Sequence, residues 1–351
     1  MGENVLEKLL LPKQRLSRVC PPIAAFILKI RLSLKSASVT PLLLFYFSNN
    51  PFRINAMEVL SQNIARLYPF KSHFFTLNDQ KSHRLHYIDE GKGETVVMLH
   101  GNPTWSFYYR NLVLHLKSDY RCLVPDHIGC GLSDKPQSYN YCLQQHIDNT
   151  LQWLKGINIG HFHLVVHDWG GAIGMGVATR WPASVRSITV LNSAAFLSQR
   201  MPLRIALCRT KIGSWAVRHW NVFAKAATFM AVQTPLSPDV KAGYLYPYDS
   251  PQHRIAIDRF IRDIPMEPSH PSYAVLKNIQ EHLWLLEGKP CLLAWGMRDF
   301  CFTPEFLSVW QQYFPKAECC QFPDAGHYVL EDAKEEILPL IRQFIARHSE
   351  I

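Results

Sequence analysis

The sequence predicts an α/β protein: a mainly parallel β-sheet covered by helices on both faces, with a helical cap inserted late in the sheet. Three observations carry this expectation. Short apolar runs bounded by turn residues alternate with longer stretches of helical character. One run, Leu164-Val165-Val166, breaks at His167-Asp168 and passes through Gly170-Gly171 into Ala172 to Ala178, which reads as strand, sharp turn and helix. Finally, roughly 95 residues separate the strand at Ile188 to Leu191 from the next at Cys291 to Trp295, where an α/β repeat needs only a short crossover.

Residues 1–56 read as a basic extension with a net charge of +6, leaving +3 for residues 57–351. Its apolar islands, Ile23 to Ile30 and Val39 to Phe47, fall short of the ~20 residues a membrane span needs. It also lacks the single apolar core and small-residue cleavage site of a secretory signal. A transit-like peptide, a membrane-surface arm and sequence upstream of a true start at Met57 all fit. The last is preferred, because a helix from Met57 to Tyr68 opens there, and the segment is expected to be dispensable for chemistry.

The first part of the core, 57–194, carries strands at Arg84 to Ile88, Thr95 to Leu99 and Tyr120 to Pro125. These lead into the loops His100-Gly101-Asn102-Pro103-Thr104-Trp105 and Asp126 to Pro136, and then to the Asp168 turn. The cap, 195–288, supplies Trp215, Trp220, Phe223, Phe229, Met230 and the Tyr244, Tyr246, Tyr248 group as apolar surface. From Ser198 to Pro238 it holds six Lys/Arg and no acid. A solvated basic helix face and a docking surface for a membrane or an acidic partner both fit that pattern. The core resumes over 289–351 with the strand at Leu292 to Trp295, a helix from Pro304 to about Tyr313, a strand through Cys319 to Phe322, and a closing helix near Leu330 to Arg347.

Composition excludes several classes. The near-neutral body argues against nucleic-acid binding, which wants a basic face on the folded domain. Nine cysteines without CxxC spacing read as free thiols of a reducing, cytoplasmic compartment, not as disulfides or a zinc site. Gly129, Gly131 and the glycines at 170, 171, 174 and 176 do not give GxGxxG with an acid about 20 residues on, so no nicotinamide cofactor is expected. Tight turns and close helix packing account for them. No cofactor and no metal are predicted.

The Asp168 turn matches the elbow on which the α/β-hydrolase fold carries its nucleophile. A carboxylate is already ionised, needs no base to activate it, and can displace a leaving group from an alkyl carbon to form an ester. The plainer reading is that Asp168 only caps the following helix. Two further residues at strand ends, Asp299 and His327, complete the order nucleophile, acid, histidine found in this fold. Such positions face ligands in open α/β sheets.

His100-Gly101-Asn102-Pro103-Thr104, Val165 to Gly170, Trp295-Gly296-Met297-Arg298-Asp299 and Asp324-Ala325-Gly326-His327 together resemble the haloalkane-dehalogenase-like group of α/β-hydrolases, from about residue 57 onward. The resemblance implies an eight-stranded sheet, with Asn102 and Trp169 holding a departing anion. Leu191-Asn192-Ser193-Ala194 has no carboxylate where many dehalogenases place a Glu, so the acid is expected to be Asp299. An Asp-His-Asp set with an Asn-Trp pair, and the cap stretches Arg259 to Pro265 and Pro268 to Tyr273, are similar to the β-lactone decarboxylases of bacterial long-chain olefin synthesis. That resemblance implies a small hydrophobic cis-dialkyl β-lactone as substrate, an alkene and carbon dioxide as products, and an assembly with other enzymes of the route. A haloalkane dehalogenase is the alternative. An epoxide hydrolase using Tyr244, Tyr246, Tyr248 or Tyr273 is disfavoured by Asn102, and a non-catalytic ligand-binding module by the complete Asp-His-Asp set.

Overall fold

The computed structural model describes residues 62 and 64–349; the predicted basic arm and the start of the helix expected at Met57 lie outside them. Its strands are β1 (His73–Thr76), β2 (Arg84–Glu90), β3 (Thr95–Leu99), β4 (Arg121–Pro125), β5 (Phe162–Asp168), β6 (Val185–Ser193), β7 (Cys291–Gly296) and β8 (Glu318–Phe322). They form one sheet in the order β1-β2-β4-β3-β5-β6-β7-β8. β1 pairs antiparallel with β2, and β2 antiparallel with β4; every later pair is parallel.

The strand sequences dictate a three-layer packing. Successive side chains point to opposite faces, so in β3 Val97 and Leu99 enter one core while Val96 and Met98 enter the other. The first core packs under α2 (Leu143–Gly156), α3 (Trp169–Arg180) and α10 (Pro304–Tyr313), and the second under α1 (Arg110–Leu116) and α12 (Lys334–Arg347). Burial on both faces is why the central strands read as unbroken apolar runs.

Between β6 and β7 lie α4 (Leu203–Arg209), α5 (Lys211–Trp220), α6 (Val222–Met230), α7 (Pro238–Leu245), α8 (Ile255–Arg262) and α9 (Pro271–His282). α9 packs on the core: Leu276 and Ile279 join the cluster of Ile147 and Met175. A Cβ at Gly176 would strike Ile147, so this glycine lets α2 and α3 approach. The segment is pinned by hydrogen bonds from the Trp105 indole to the Gly243 carbonyl (3.1 Å) and from the Tyr248 hydroxyl to the Thr104 carbonyl (3.2 Å).

The closing helix differs from the sequence expectation, being broken at Ala333 into α11 (Val329–Asp332) and α12. Asp332 is diverted at the break: its carboxylate accepts the N–H groups of Gly326, Gln233 and Thr234. Among the described residues no helix is long and apolar enough to cross a membrane, and no cluster of side chains fit to hold a metal occurs. The eight described cysteines are free thiols.

Candidate active site

β5 ends at Asp168 and α3 starts at the next residue, so the backbone must turn within one residue. Asp168 sits at φ 52°, ψ −128°, a conformation that non-glycine residues adopt only where the surroundings impose it. Those surroundings are close: a Cβ at Gly101 would collide with the Asp168 carboxylate, and one at Gly170 with the Leu99 carbonyl. The Ser193 hydroxyl donates to the Asp168 carbonyl (2.5 Å) and braces the turn from β6.

The Asp168 side chain makes no helix-capping hydrogen bond, so the plainer reading of this residue fails. Its Oδ1 instead accepts the Asn102 backbone N–H at 2.7 Å, and the Trp169 backbone N–H also favours the charged carboxylate. Its Oδ2 lies 3.7 Å from His327 Nε2. On the far side of the ring, His327 Nδ1 donates to Asp299 Oδ2 at 2.7 Å. The structure thus brings together Asp168, Asp299 and His327, predicted from three distant segments, in a buried line.

Electrostatics follow from that burial. Removal from water pushes the Asp168 carboxyl above its ordinary pKa, against the opposing pull of His327 and the two backbone N–H groups. Burial also works against charge on His327, but the charge and hydrogen bond of Asp299, with the charge of Asp168, outweigh it and raise the His327 pKa.

Asn102 and Trp169 flank the carboxylate. The Asn102 amide gives one N–H to the Ile257 carbonyl of α8 (3.2 Å), and an amide NH2 has a second hydrogen to offer. Trp169 leans on Phe260 of the same helix with ring centroids 5.4 Å apart. Two cavities diverge from this point. One, of about 140 Å³, is lined by Trp169, Phe196, Ile261, Leu276, Phe302 and Phe306. The other, of about 210 Å³, is lined by Val222, Ala227, Met230, Phe300 and Tyr328. Both touch Asn102, Asp168, Ile205, Phe223 and Cys301. None of Tyr244, Tyr246, Tyr248 or Tyr273 lines either one; Tyr244 is bonded to Glu331 and Tyr248 to Thr104.

Sequence reasoning missed three supports. Asn192, noted there only for lacking a carboxylate, donates Nδ2 to Asp299 Oδ2 (3.0 Å) and is itself locked to Gly296 through both amide atoms. The Cys301 backbone N–H donates to Asp299 Oδ1 (2.7 Å). His167 Nε2 donates to the His327 carbonyl (2.9 Å), and its ring stacks on Tyr108. The polar Asn at the end of an apolar strand was the available signal for the first; nothing local marks the other two.

A carboxylate on a strained strand-to-helix elbow, backed by a His–Asp pair from later strand ends, defines an α/β-hydrolase-fold protein with an aspartate in the nucleophile position. The chain belongs to that family: its sequence matches the alpha/beta hydrolase fold over residues 94–334. More particularly, it is 44% identical over 287 residues to the cis-3-alkyl-4-alkyloxetan-2-one decarboxylase of Shewanella oneidensis, spanning 80% of this chain and 89% of that one. The protein of the same name from Xanthomonas campestris pv. campestris is 41% identical over 276 residues, 75% of this chain and 92% of that one. Among solved structures, the haloalkane dehalogenase DatA of Agrobacterium tumefaciens C58 superimposes with a TM-score of 0.72 at 26% identity, covering 80% of this chain and 97% of that one.

Proposed function

We propose that this protein is a β-lactone decarboxylase that converts a cis-3,4-dialkyl-oxetan-2-one into a cis-alkene and carbon dioxide, with Asp168 as nucleophile. The observation that carries the reading is the divergence of two apolar cavities from a single carboxylate. A cis-dialkyl β-lactone has two alkyl chains on adjacent carbons of one small polar ring, and each chain needs its own apolar space. The relatives that share 41–44% identity with this chain carry the name of that activity.

The geometry supports attack at the ring carbon bonded to oxygen. Asp168 Oδ1 is held by the Asn102 backbone N–H, which leaves Oδ2 to form the new C–O bond. The ring C–O bond breaks with its electron pair on the departing carboxylate, which the Asn102 and Trp169 side-chain N–H groups receive. The C–C bond to that carboxylate then breaks: its electron pair forms the alkene, carbon dioxide departs, and the Asp168 carboxylate is regenerated. His327, 3.7 Å from Oδ2 and held cationic by Asp299, stabilises the charge returning to Asp168. Inversion at the attacked carbon followed by anti elimination leaves both chains on one side, which gives the cis product. No water and no net proton are consumed. The supply of such a lactone, and an assembly with the enzymes that make it, belong to the same proposal.

The test is gas chromatography on purified protein given a cis-dialkyl β-lactone or, separately, a 1-bromoalkane, with Asp168→Ala as control. Alkene from the lactone, absent in the variant, is the expected result. Halide release from the bromoalkane with no alkene from the lactone overturns the reading in favour of a dehalogenase.

A further inference from the structure

The cap turns large apolar side chains outward around the mouth of the site. Leu203 and Leu207, one helical turn apart on α4, are 74% and 57% exposed, and Phe229 on α6 is 64% exposed. Both helices line the larger cavity, α4 through Arg204 and Ile205 and α6 through Phe223, Ala226 and Met230, and the exposure of Arg204 places the cavity's rim on this face. α5, which joins the two, adds Ile212 at 82% and Trp220 at 62% exposure. This is far more exposed apolar surface than scattered single residues provide, and the core offers nothing like it.

Cations are interleaved with it. Arg204, Lys211 and Lys225 are exposed and make no ion pair among the described residues, and no acid occurs between Ser198 and Pro238. Large apolar groups among unpaired cations, with no anion, are the composition of a helix surface that lies in the headgroup region of an anionic bilayer. Charge disfavours a second copy of this chain as the occupant, because it would present the same positive face. The position of the cavity mouth disfavours a protein partner, which would seal the route to Asp168. A bilayer instead stores a lipophilic substrate where the mouth opens.

We infer that the α4–α6 face of the cap is a docking surface for anionic lipid bilayers, through which a membrane-dissolved substrate reaches Asp168. The substrate part rests on the function proposed above; the docking itself does not. The test is flotation of the full chain, without substrate, on vesicles of phosphatidylcholine alone or with one third phosphatidylglycerol, in parallel with turnover of a short-chain, water-soluble β-lactone. Wild-type protein is expected to bind the anionic vesicles and to be released by high salt. Lys211→Ala with Lys225→Ala is expected to weaken binding by roughly fivefold per charge, and Leu203→Ser with Phe229→Ser to weaken it at least as much, both with unchanged turnover of the soluble lactone. No binding by wild type, equal binding to both vesicle types, or binding that both double variants retain overturns the inference, the last because another part of the chain would then be the anchor. Retention on polyglutamate without vesicle binding also overturns it, in favour of an acidic partner. Vesicle binding with no lactone turnover sustains the docking and sinks the proposed reaction instead.

Discussion

The sheet side and the cap side of the site are built on opposite principles. On the sheet side Asp168 ends β5, partly exposed to the cavities, and Asp299 and His327 lie buried in the loops after β7 and β8, each held by backbone or buried side-chain hydrogen bonds. On the cap side the walls are mainly apolar, with Ser198, Arg200 and Arg204 as the polar side chains among them, and several large apolar residues face outward. The comparison teaches a division of labour: the sheet fixes which bond breaks, and the cap fixes what is brought to it. Changes on the sheet side should alter rate for every substrate, and changes in the cap should alter choice among substrates.

The largest break is at Asp168. Asp168→Asn is expected to lower kcat by about 10⁴-fold or more, read by alkene release. It is also expected to raise the melting temperature, because the carboxylate is held at a cost that burial imposes. An equal loss of activity and stability would mean that the residue is structural.

Next comes the tie between the two sides. Arg110 pairs with both oxygens of Glu331, which also bonds Tyr244 of the cap, and Arg110 and Glu331 are almost fully buried. Glu331→Gln strands a buried guanidinium and is expected to cost about 3–5 kcal/mol in denaturant unfolding, with kcat at low temperature changed less than threefold.

Asp299→Asn is expected to lower kcat by about 10²-fold through the charge of His327. The sign is fixed by the raised His327 pKa: the imidazolium form, and the stability it confers, are complete below about pH 6.5 and are lost as pH rises through the folded value. Wild-type activity should therefore fall on an alkaline limb, and Asp299→Asn should move that limb to lower pH. A limb that does not move would separate His327 from Asp299.

The smallest effect belongs to the cap. Ala227→Phe fills only the larger cavity, and is expected to reduce kcat/KM by about 10- to 100-fold for lactones with two long chains. Lactones with one short chain should keep their rate. A uniform loss would contradict the division.

The same division decides what was legible in the sequence. Central strands advertise themselves because burial on both faces demands unbroken apolar runs, so Thr95 to Leu99 and Cys291 to Trp295 were readable almost to the residue. β1 was not, since an edge strand of four residues, alternately half-buried and exposed, carries no such run. The break at Ala333 was hidden as well, because Asp332 is recruited by loops about 100 residues away. The candidates Asp168, Asp299 and His327 could be singled out because they lie at or just beyond the ends of apolar runs, whereas His167 works through a ring hidden in the core. The cap could be expected from the gap between β6 and β7, but the two cavities could not. They arise from how α4, α6 and α8 lean on one another, and no short stretch of sequence encodes that.

In the proposed reaction the ester on Asp168 collapses without water. Many turnovers of a cis-dialkyl β-lactone in H₂¹⁸O, followed by mass spectrometry of the peptide carrying Asp168, test it directly. Alkene in quantity and no ¹⁸O in Asp168 are expected, since the same carboxylate oxygen that attacks is returned unexchanged. Incorporation of ¹⁸O would show that water opens the ester, and would rule out collapse without water.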